Sequence, residues 1–130
     1  MTRVQADAAS AVKDWAATQA IGADAVLSVP EGWKPATGPS LLLVADDGGP
    51  VLWPIKSQHT IRLTAYAKGR TEARRIVTLA AAKLVESNPR PAGVLNVSGD
   101  MSAVLDARDK ATGAVLASVL VTVHARTTTA

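Results

Sequence analysis

Few residues in this sequence could carry out acid–base or nucleophilic chemistry. The 130 residues include no Cys and only two His, His59 and His124. The absence of Cys excludes thiolate nucleophiles, thiolate metal sites and disulfides. Ser98 and Asp100 could be combined with either histidine as a hydrolase triad, but the G-x-S-x-G turn that exposes a nucleophilic serine is missing. We therefore expect no catalytic residues and no enzymatic activity.

Two short motifs suggest ligand binding, and neither is complete. Gly69-Arg70-Thr71 lies between a predicted strand and a predicted helix, where a phosphate-binding loop would end in Gly-Lys-Ser/Thr. Thr64 stands where that loop needs its first glycine, and Arg70 replaces the lysine. Asp46 and Asp47 lie in a Gly-rich turn without the spaced oxygen ligands of a calcium loop. We expect turns at both places, with no cofactor and no metal.

Positive charge is concentrated in the middle of the chain. The net charge is +3, from 14 basic and 11 acidic residues, and residues 56–90 hold eight basic residues against two acidic ones. Such an uneven distribution suits head-to-tail association or an acidic partner, and it equally suits a solvated helix face. The spacing predicts a basic stripe made of Arg62, Lys68, Arg70 and Arg74.

The hydrophobic pattern predicts one small domain of the α/β (α+β) class, with two helices packed on a mixed, mainly antiparallel sheet. The length is that of a single core. Apolar residues at helical spacing predict helices over residues 4–20 and 71–87. Short apolar runs and alternating polar and apolar residues predict strands at residues 25–29, 40–45, 51–53, 59–68, 93–97, 103–108 and 114–126. The last two strands form a long C-terminal β hairpin.

Some apolar side chains fall where the predicted domain has no core to cover them. They lie on the outer face of the second helix and on the second face of the last strand. That strand would be about 40 Å long, roughly double the usual length. We therefore expect it to bend or to pair partly outside its own subunit. The predicted subunit interface consists of Arg75, Leu79, Ala82, Leu116, Leu120 and His124.

Two tryptophans lie near prolines in predicted loops. Trp33 belongs to the loop at residues 30–39, and Trp53 to the loop at residues 46–58. A loop tryptophan is either an anchor at a protein interface or a plug at the end of a small core. We predict that at least one of the two touches another subunit. Partner-facing positions are predicted at Trp33, Asp46, Asp47 and Trp53.

The order of these elements resembles that of the tail terminator (tail completion) proteins of long-tailed bacteriophages. An amphipathic helix, a strand, a Pro/Trp loop and a second strand lead to Trp53-Pro54-Ile55. An alternating strand over residues 61–67 then runs directly into Gly69-Arg70-Thr71-Glu72-Ala73 and an Ala/Leu helix. A hairpin around Asp109–Gly113 and a long Val-rich strand follow. The resemblance covers nearly the whole chain.

The resemblance implies a structural virion protein of the head–tail junction, assembled in the host cytoplasm. Six copies would form a ring that caps the tail tube, stops its elongation and presents a surface to the head-side connector (stopper) protein. The partners would be the major tail tube protein and that connector. Genomic double-stranded DNA would pass through the lumen without sequence-specific binding. The family has no catalytic residues or cofactor to carry over.

Two alternatives stay open. Another head–tail connector or completion protein of the phage would share these properties. A small basic nucleic-acid-binding domain is suggested by the basic stripe, in which Tyr66 is the one stacking aromatic. No membrane partner is expected, because the longest strongly apolar run, Leu41–Ala45, is far shorter than the ~20 residues that span a bilayer. No targeting segment is recognised at the N-terminus.

Overall fold

The structure is a computed structural model that describes residues 2–130. It has two helices and nine strands in the described residues, and it confirms the α+β class with a mixed, mainly antiparallel sheet. In chain order the elements are β1 (Arg3–Val4), α1 (Ala8–Ala17), β2 (Asp24–Val26), β3 (Leu41–Asp46), β4 (Val51–Leu52), β5 (Lys56–Ala67), α2 (Arg70–Val85), β6 (Val94–Met101), β7 (Leu105–Arg108), β8 (Val115–Arg126) and β9 (Thr128–Thr129).

The main sheet is built around β5 and β8, which pair antiparallel along their whole length. Its strand order is β2-β3-β5-β8-β6, with β4 added to β5 and β7 added to β8. Only β2 and β3 run parallel. The predicted C-terminal hairpin is present as β7 and β8. A separate short pair joins β1 to β9 at the two ends of the chain.

The expectation that β8 is too long for its own domain is wrong. β5 begins at Lys56, three residues before the predicted start of this strand, and is therefore as long as β8. The ladder runs from Lys56 opposite Arg126 to Ala67 opposite Val115, so every residue of β8 has a partner in the same chain. On the other side of β8, β6 and β7 divide its length between them.

The core lies between one face of the sheet and the two helices. Side chains alternate along a strand, so every second residue of β5 and β8 points to this face. The buried residues there include Ile61 and Leu63 of β5 and their partners Val121 and Val119 of β8. The residues that α2 buries against this face are Ala73, Ile76, Val77, Ala80, Ala81 and Leu84. The many alanines allow the helix to lie close to the sheet.

The first helix is shorter than its apolar pattern predicts. It begins at Ala8, where the Asp7 side chain accepts a hydrogen bond from the Ser10 N–H at 3.0 Å. Val4, the first residue of the predicted helix, lies instead in β1 and is 39% exposed. The helix starts late because residues 3–4 pair with residues 128–129 as strands. A local hydrophobic pattern contains no information about that distant pairing.

Trp33 forms a second, smaller core on the opposite face of the sheet. Its ring packs edge-on against Tyr66, with centroids 6.0 Å apart, and its Nε1–H donates to the Pro39 carbonyl at 2.8 Å. Leu41 and Ala114 are buried in the same cluster. Gly38 closes the loop over the ring, since a Cβ there would collide with Trp33 Nε1. Burial, with a smaller effect of Asp109, raises the pKa of the Tyr66 hydroxyl.

This second core corrects one expected partner-facing position. Trp33 is only 8% exposed, so its ring plugs the protein's own sheet instead of facing a partner. Leu116, a predicted interface residue, packs against the same cluster and is half-buried. Of the two alternatives for a loop tryptophan, the plug applies to Trp33.

Candidate functional site

The longest run of exposed apolar side chains lies at one edge of the main sheet, in the segment 46–58 that connects β3 through β4 to β5, here called the arm. β3 and β4 both run antiparallel to β5. Two further backbone hydrogen bonds continue this pairing from β3 to β4. The Asp47 N–H donates to the Thr60 carbonyl at 2.9 Å, and the Gln58 N–H donates to the Pro50 carbonyl at 2.8 Å. The arm ends in residues Val51–Ile55, here called the hairpin tip. Leu52, Trp53 and Ile55 are 55%, 54% and 61% exposed. Contiguous exposed apolar side chains of this size are typical of protein interaction sites.

The hairpin tip is held in place by side chains from both ends of the chain. The buried Thr127 hydroxyl donates to the Pro54 carbonyl at 2.7 Å and accepts from Arg3 Nε at 2.7 Å. Within the tip, the Ile55 N–H donates to the Leu52 carbonyl at 2.8 Å. These bonds fix the turn, so its exposed side chains are presented on a pre-organised support, which lowers the entropy cost of binding.

A Ser–His–Asp chain is present at the base of the arm, formed by residues other than the Ser98–Asp100 segment considered from sequence. His59 Nδ1 lies 2.6 Å from Asp46 Oδ2, and His59 Nε2 lies 2.6 Å from Ser57 Oγ. A carboxylate only accepts, so Nδ1 carries the proton, and in the neutral ring Nε2 accepts the Ser57 hydroxyl hydrogen. This connectivity is the one that activates serine in hydrolases.

Burial gives the Ser57–His59–Asp46 hydrogen-bond chain a structural role and not a catalytic one. Ser57 is 0% exposed and His59 5%, so a substrate carbonyl has no approach to the hydroxyl oxygen. Ser57 and His59 lie two residues apart on the core-facing side of β5, and Asp46 ends β3. These hydrogen bonds therefore satisfy three polar groups and tie the end of β3 to β5. Asp46 is also a predicted partner-facing position; its carboxylate is bound by His59 and by the Gly48 N–H, and its side chain keeps 26% exposure.

The predicted basic stripe is divided between two places by the fold. Arg62 points to the face of the sheet away from the helices and pairs with Asp47 at 2.7 Å. Arg70 and Arg74, at the start of α2, both pair with Asp106 of β7, at 2.9 and 3.0 Å. Lys68 makes none of the ion pairs in the described residues 2–130. Because three of the four cations are paired with acids, the stripe is not one continuous positive surface.

The ion pairs of Asp106 make the stability of the fold depend on pH. Hydrogen bonds from Arg74, then from Arg70, hold the pKa of its carboxyl below the ordinary value. A lowered folded-state pKa stabilises the fold above the unfolded pKa, and that stabilisation is lost as the pH falls through the folded pKa. We expect Asp106→Asn to be slightly less stable than the wild type in urea at pH 7, with a difference that disappears in strong acid.

The matched control is Asp100→Asn, since Asp100 makes none of the ion pairs in the described part of the chain. It should unfold like the wild type at both pH values. An Asp106→Asn difference that grows as the pH falls would contradict the assignment.

The predicted subunit interface falls on two opposite sides of the molecule. On α2, Arg75 binds Glu72 at 2.7 Å and donates to the Ile21 carbonyl at 3.2 Å, so it is used within the chain. The hydrogen bond from Arg75 lowers the pKa of Glu72. Leu79 is half-buried and Ala82 exposed on the same helix.

The β8 half of that interface lies on the sheet face away from the helices. Leu120 and His124 are half-buried there, and His124 Nε2 lies 3.3 Å from Gln58 Oε1. The fold therefore does not gather the six residues into one patch. Two distinct patches are nevertheless what a head-to-tail contact uses, because each copy then contributes a different surface.

A groove lies in the helical layer of the molecule. Its volume is about 670 Å³, and it lies between the second half of α1 and residues 83–92. Trp15, Pro89 and Pro91 supply apolar walls. Nη1 of Arg90, which also lines the groove, is buried and has no hydrogen-bond partner among residues 2–130. We call this the helical groove.

Searches for other kinds of site and for similar proteins returned nothing. Within residues 2–130 no group of three or more His, Asp or Glu is arranged to hold a metal ion. No helix in that range has the length and apolar character needed to cross a bilayer. A scan against protein-family models, a search of curated proteins and a search of solved structures found no match to this chain.

Proposed function

We propose that this chain is a phage tail terminator, a structural protein that works by assembly. Copies of it form a ring, expected to be hexameric, that caps the tail tube, stops its elongation and joins the tail to the head-side connector. The ring belongs to the virion, at the head–tail junction, and genomic DNA passes through its lumen. The basis for the family is the order of elements described above, and the fold has the α+β class that the family implies.

The observation that carries an assembly function is the hairpin tip. A large exposed apolar cluster raises the free energy of an isolated chain in water, and burial against a partner removes that cost. Trp53 at its centre belongs to the residue types, Trp, Tyr and Arg, that are enriched among interface anchors. The Ser57–His59–Asp46 chain, by contrast, is buried and closed to substrates.

The decisive experiment removes the chain from the virus that encodes it. Virions produced without it should have tails of abnormal length and heads that fail to join them, as seen by electron microscopy. Tails of normal length firmly joined to filled heads would refute the proposal.

Purified protein gives a second measurement. Light scattering at micromolar concentration should give a mass near six times the 13.4 kDa of one chain. A monomer mass at all concentrations would count against a self-assembled ring.

A basic nucleic-acid-binding domain is the second candidate. It is supported by a shallow cavity of about 360 Å³ lined by Lys68, Arg70 and Arg108, in which the one acid, Asp106, is paired with Arg70. Phosphate contacts give binding that weakens steeply with salt. A salt-dependent shift of free duplex DNA would favour this candidate, and the absence of any shift at low salt would remove it.

A further inference from the structure

Most of the exposed apolar side chains are gathered at two opposite edges of the main sheet. Nine large apolar side chains are exposed in residues 2–130, and seven of them belong to the hairpin tip or to β6 and β7. These seven are Val51, Leu52, Trp53, Ile55, Leu95, Met101 and Leu105. Lys56 of β5 pairs with Leu52 on one side and with Arg126 of β8 on the other, and β6 and β7 lie beyond β8. The whole width of the sheet therefore separates the two groups.

The second edge presents its apolar side chains on a fixed support, as the hairpin tip does. Met101 ends β6 and Leu105 begins β7, and both side chains are exposed, Leu105 by 65%. Between them, the Ser102 N–H donates to the Leu120 carbonyl at 3.0 Å, and Ser102 Oγ accepts from the Leu120 N–H at 2.8 Å. We call residues 100–105 the β6–β7 corner. Its order in the single chain lowers the entropy cost of binding.

The cations beside the hairpin tip lack acidic partners within the chain. Lys56 follows the tip directly, Arg126 lies opposite Lys56 on β8, and Arg3 is joined to the turn through one hydroxyl group. None of these three cations belongs to the ion pairs of residues 2–130, and the sequence has no acid between Asp47 and Glu72. A contact between two hairpin tips would bring like charges together, which is unfavourable.

The β6–β7 corner offers the opposite charge next to its apolar side chains. Asp100 directly precedes Met101, is exposed, and makes none of the ion pairs in the described part of the chain. Arg70 and Arg74 belong to α2, and Asp106 engages both of them. A hairpin tip that meets the corner can therefore bury apolar area while its cations approach an unpaired carboxylate.

The helical groove offers no such match to the tip. Most of the residues that line it are polar or charged, and its acids Asp14 and Glu86 are accompanied by Lys83 and Arg90. Asp14 is also paired with Lys13. The β6–β7 corner is thus the better match in both apolar character and charge.

We infer that the hairpin tip of one copy docks on the β6–β7 corner of the next copy. The two surfaces share no residues and lie at opposite edges of one sheet, so the contact is heterologous, and its repetition generates a ring or an open helical array. The inference rests on the proposed function in requiring self-association. It also assigns Trp53, which the sequence placed toward the tube or the connector, to the contact between subunits.

The absence of cysteine from the sequence makes a direct test possible. One protein carries Leu52→Cys in the tip, which leaves Trp53 in place. A second carries Ala103→Cys in the corner, which leaves Met101 and Leu105 in place. Both substituted side chains are exposed in the single chain. A disulfide requires Cα atoms within about 7 Å, so it forms efficiently only where the two positions meet.

We expect rapid heterodimer formation when the two proteins are mixed under mild oxidation, read by mass spectrometry under non-reducing conditions. The control pairs Leu52→Cys with Ala17→Cys, the same alanine substitution at an exposed position of α1. The tip–corner pair should exceed the control at least tenfold. A mixed product no more abundant than the control would overturn the inference. Homodimers of either variant forming in preference to the mixed product would show a symmetric contact and overturn it as well.

A second measurement tests the two surfaces through assembly. Trp53→Asp and Leu105→Asp each place a carboxylate in the apolar contact, so each should raise the concentration at which the ring half-assembles by at least tenfold. The circular dichroism of the monomer should stay unchanged. Leu27→Asp is the control, because Leu27 is also an exposed apolar side chain and belongs to neither surface. It should assemble like the wild type, and an equal effect of all three substitutions would refute the contact.

The same measurement separates this inference from the proposed function. If the wild type forms rings and Trp53→Asp and Leu105→Asp form them equally well, the tip–corner contact is refuted and the terminator function stands. A wild type that stays monomeric at every concentration also refutes the contact, and virions lacking the chain then decide the terminator function on their own. If those virions have normal tails as well, both fail.

Discussion

Trp33→Ala is expected to lower the free energy of unfolding by about 3–5 kcal/mol, the range for deleting a buried aromatic side chain. The ring is 8% exposed, packs on Tyr66 and closes the smaller of the two cores. Its removal leaves a cavity and frees the Pro39 carbonyl from its only indole donor. Urea unfolding followed by circular dichroism at low protein concentration gives the value directly.

Trp53→Ala is the matched control, because it is the same substitution at an exposed position. Trp53 is 54% exposed, so its loss should change the stability of the single chain by no more than about 0.5 kcal/mol. Equal losses at the two positions would contradict the division between a structural and a partner-binding tryptophan. High concentrations are avoided, since assembly would itself stabilise the folded chain.

His59→Ala is expected to lower the free energy of unfolding by about 3 kcal/mol, from the lost packing of a buried ring together with the hydrogen bonds that Ser57 and Asp46 lose. Ser57 Oγ would lose its acceptor at 2.6 Å, and Asp46 would lose the His59 donor at 2.6 Å but keep the Gly48 N–H, which donates to its Oδ1 at 2.8 Å. The Asp46 side chain is 26% exposed, so water takes over part of its hydrogen bonding. The loss of stability is therefore smaller than for a fully buried ion pair. Urea unfolding measures the difference.

His124→Ala serves as the control for His59→Ala. Its ring is half-buried on the open face of the sheet and makes one long contact, 3.3 Å, with Gln58. We expect His124→Ala to lower the free energy of unfolding by less than about 1 kcal/mol. A loss at His124 as large as that at His59 would show that the Ser57–His59–Asp46 chain contributes little to the stability of the arm.

The parts of the fold that depend on local pattern were predictable. α2 was expected at residues 71–87 and runs from Arg70 to Val85, since its apolar residues repeat at helical spacing and Asn88-Pro89 ends it. β8 was expected at residues 114–126 and is found at Val115–Arg126 because its valines alternate without interruption. Both elements bury the faces that their periodicity indicated.

The errors concern pairings between distant parts of the chain. The start of α1 is set by residues 128–129, and the length of β5 by its ladder with β8. Trp33 lies in a loop rich in Gly and Pro, whose composition does not say that the loop folds back over the sheet. In each case the deciding contact is with residues outside any window that a local pattern covers.

The candidate surfaces were predictable only in part. The apolar run Val51–Ile55 is visible in the sequence, but its exposure follows from the arm extending beyond β3. The Ser57–His59–Asp46 chain depends on the register between β3 and β5, and the one available signal was Ser57 two residues before His59, on the same side of a strand. The pairing of Arg70 and Arg74 with Asp106 likewise required the position of β7.

The full-length ladder between β5 and β8 has a consequence for how the chain acquires its structure. Its paired residues are between 48 positions (Ala67 with Val115) and 70 positions (Lys56 with Arg126) apart. Loop closure over such spans is entropically unfavourable until many contacts form together, and topologies of this type fold slowly. During synthesis the central ladder cannot be completed until β8 has left the ribosome, so β5 and β8 should pair in one cooperative event and not in stages.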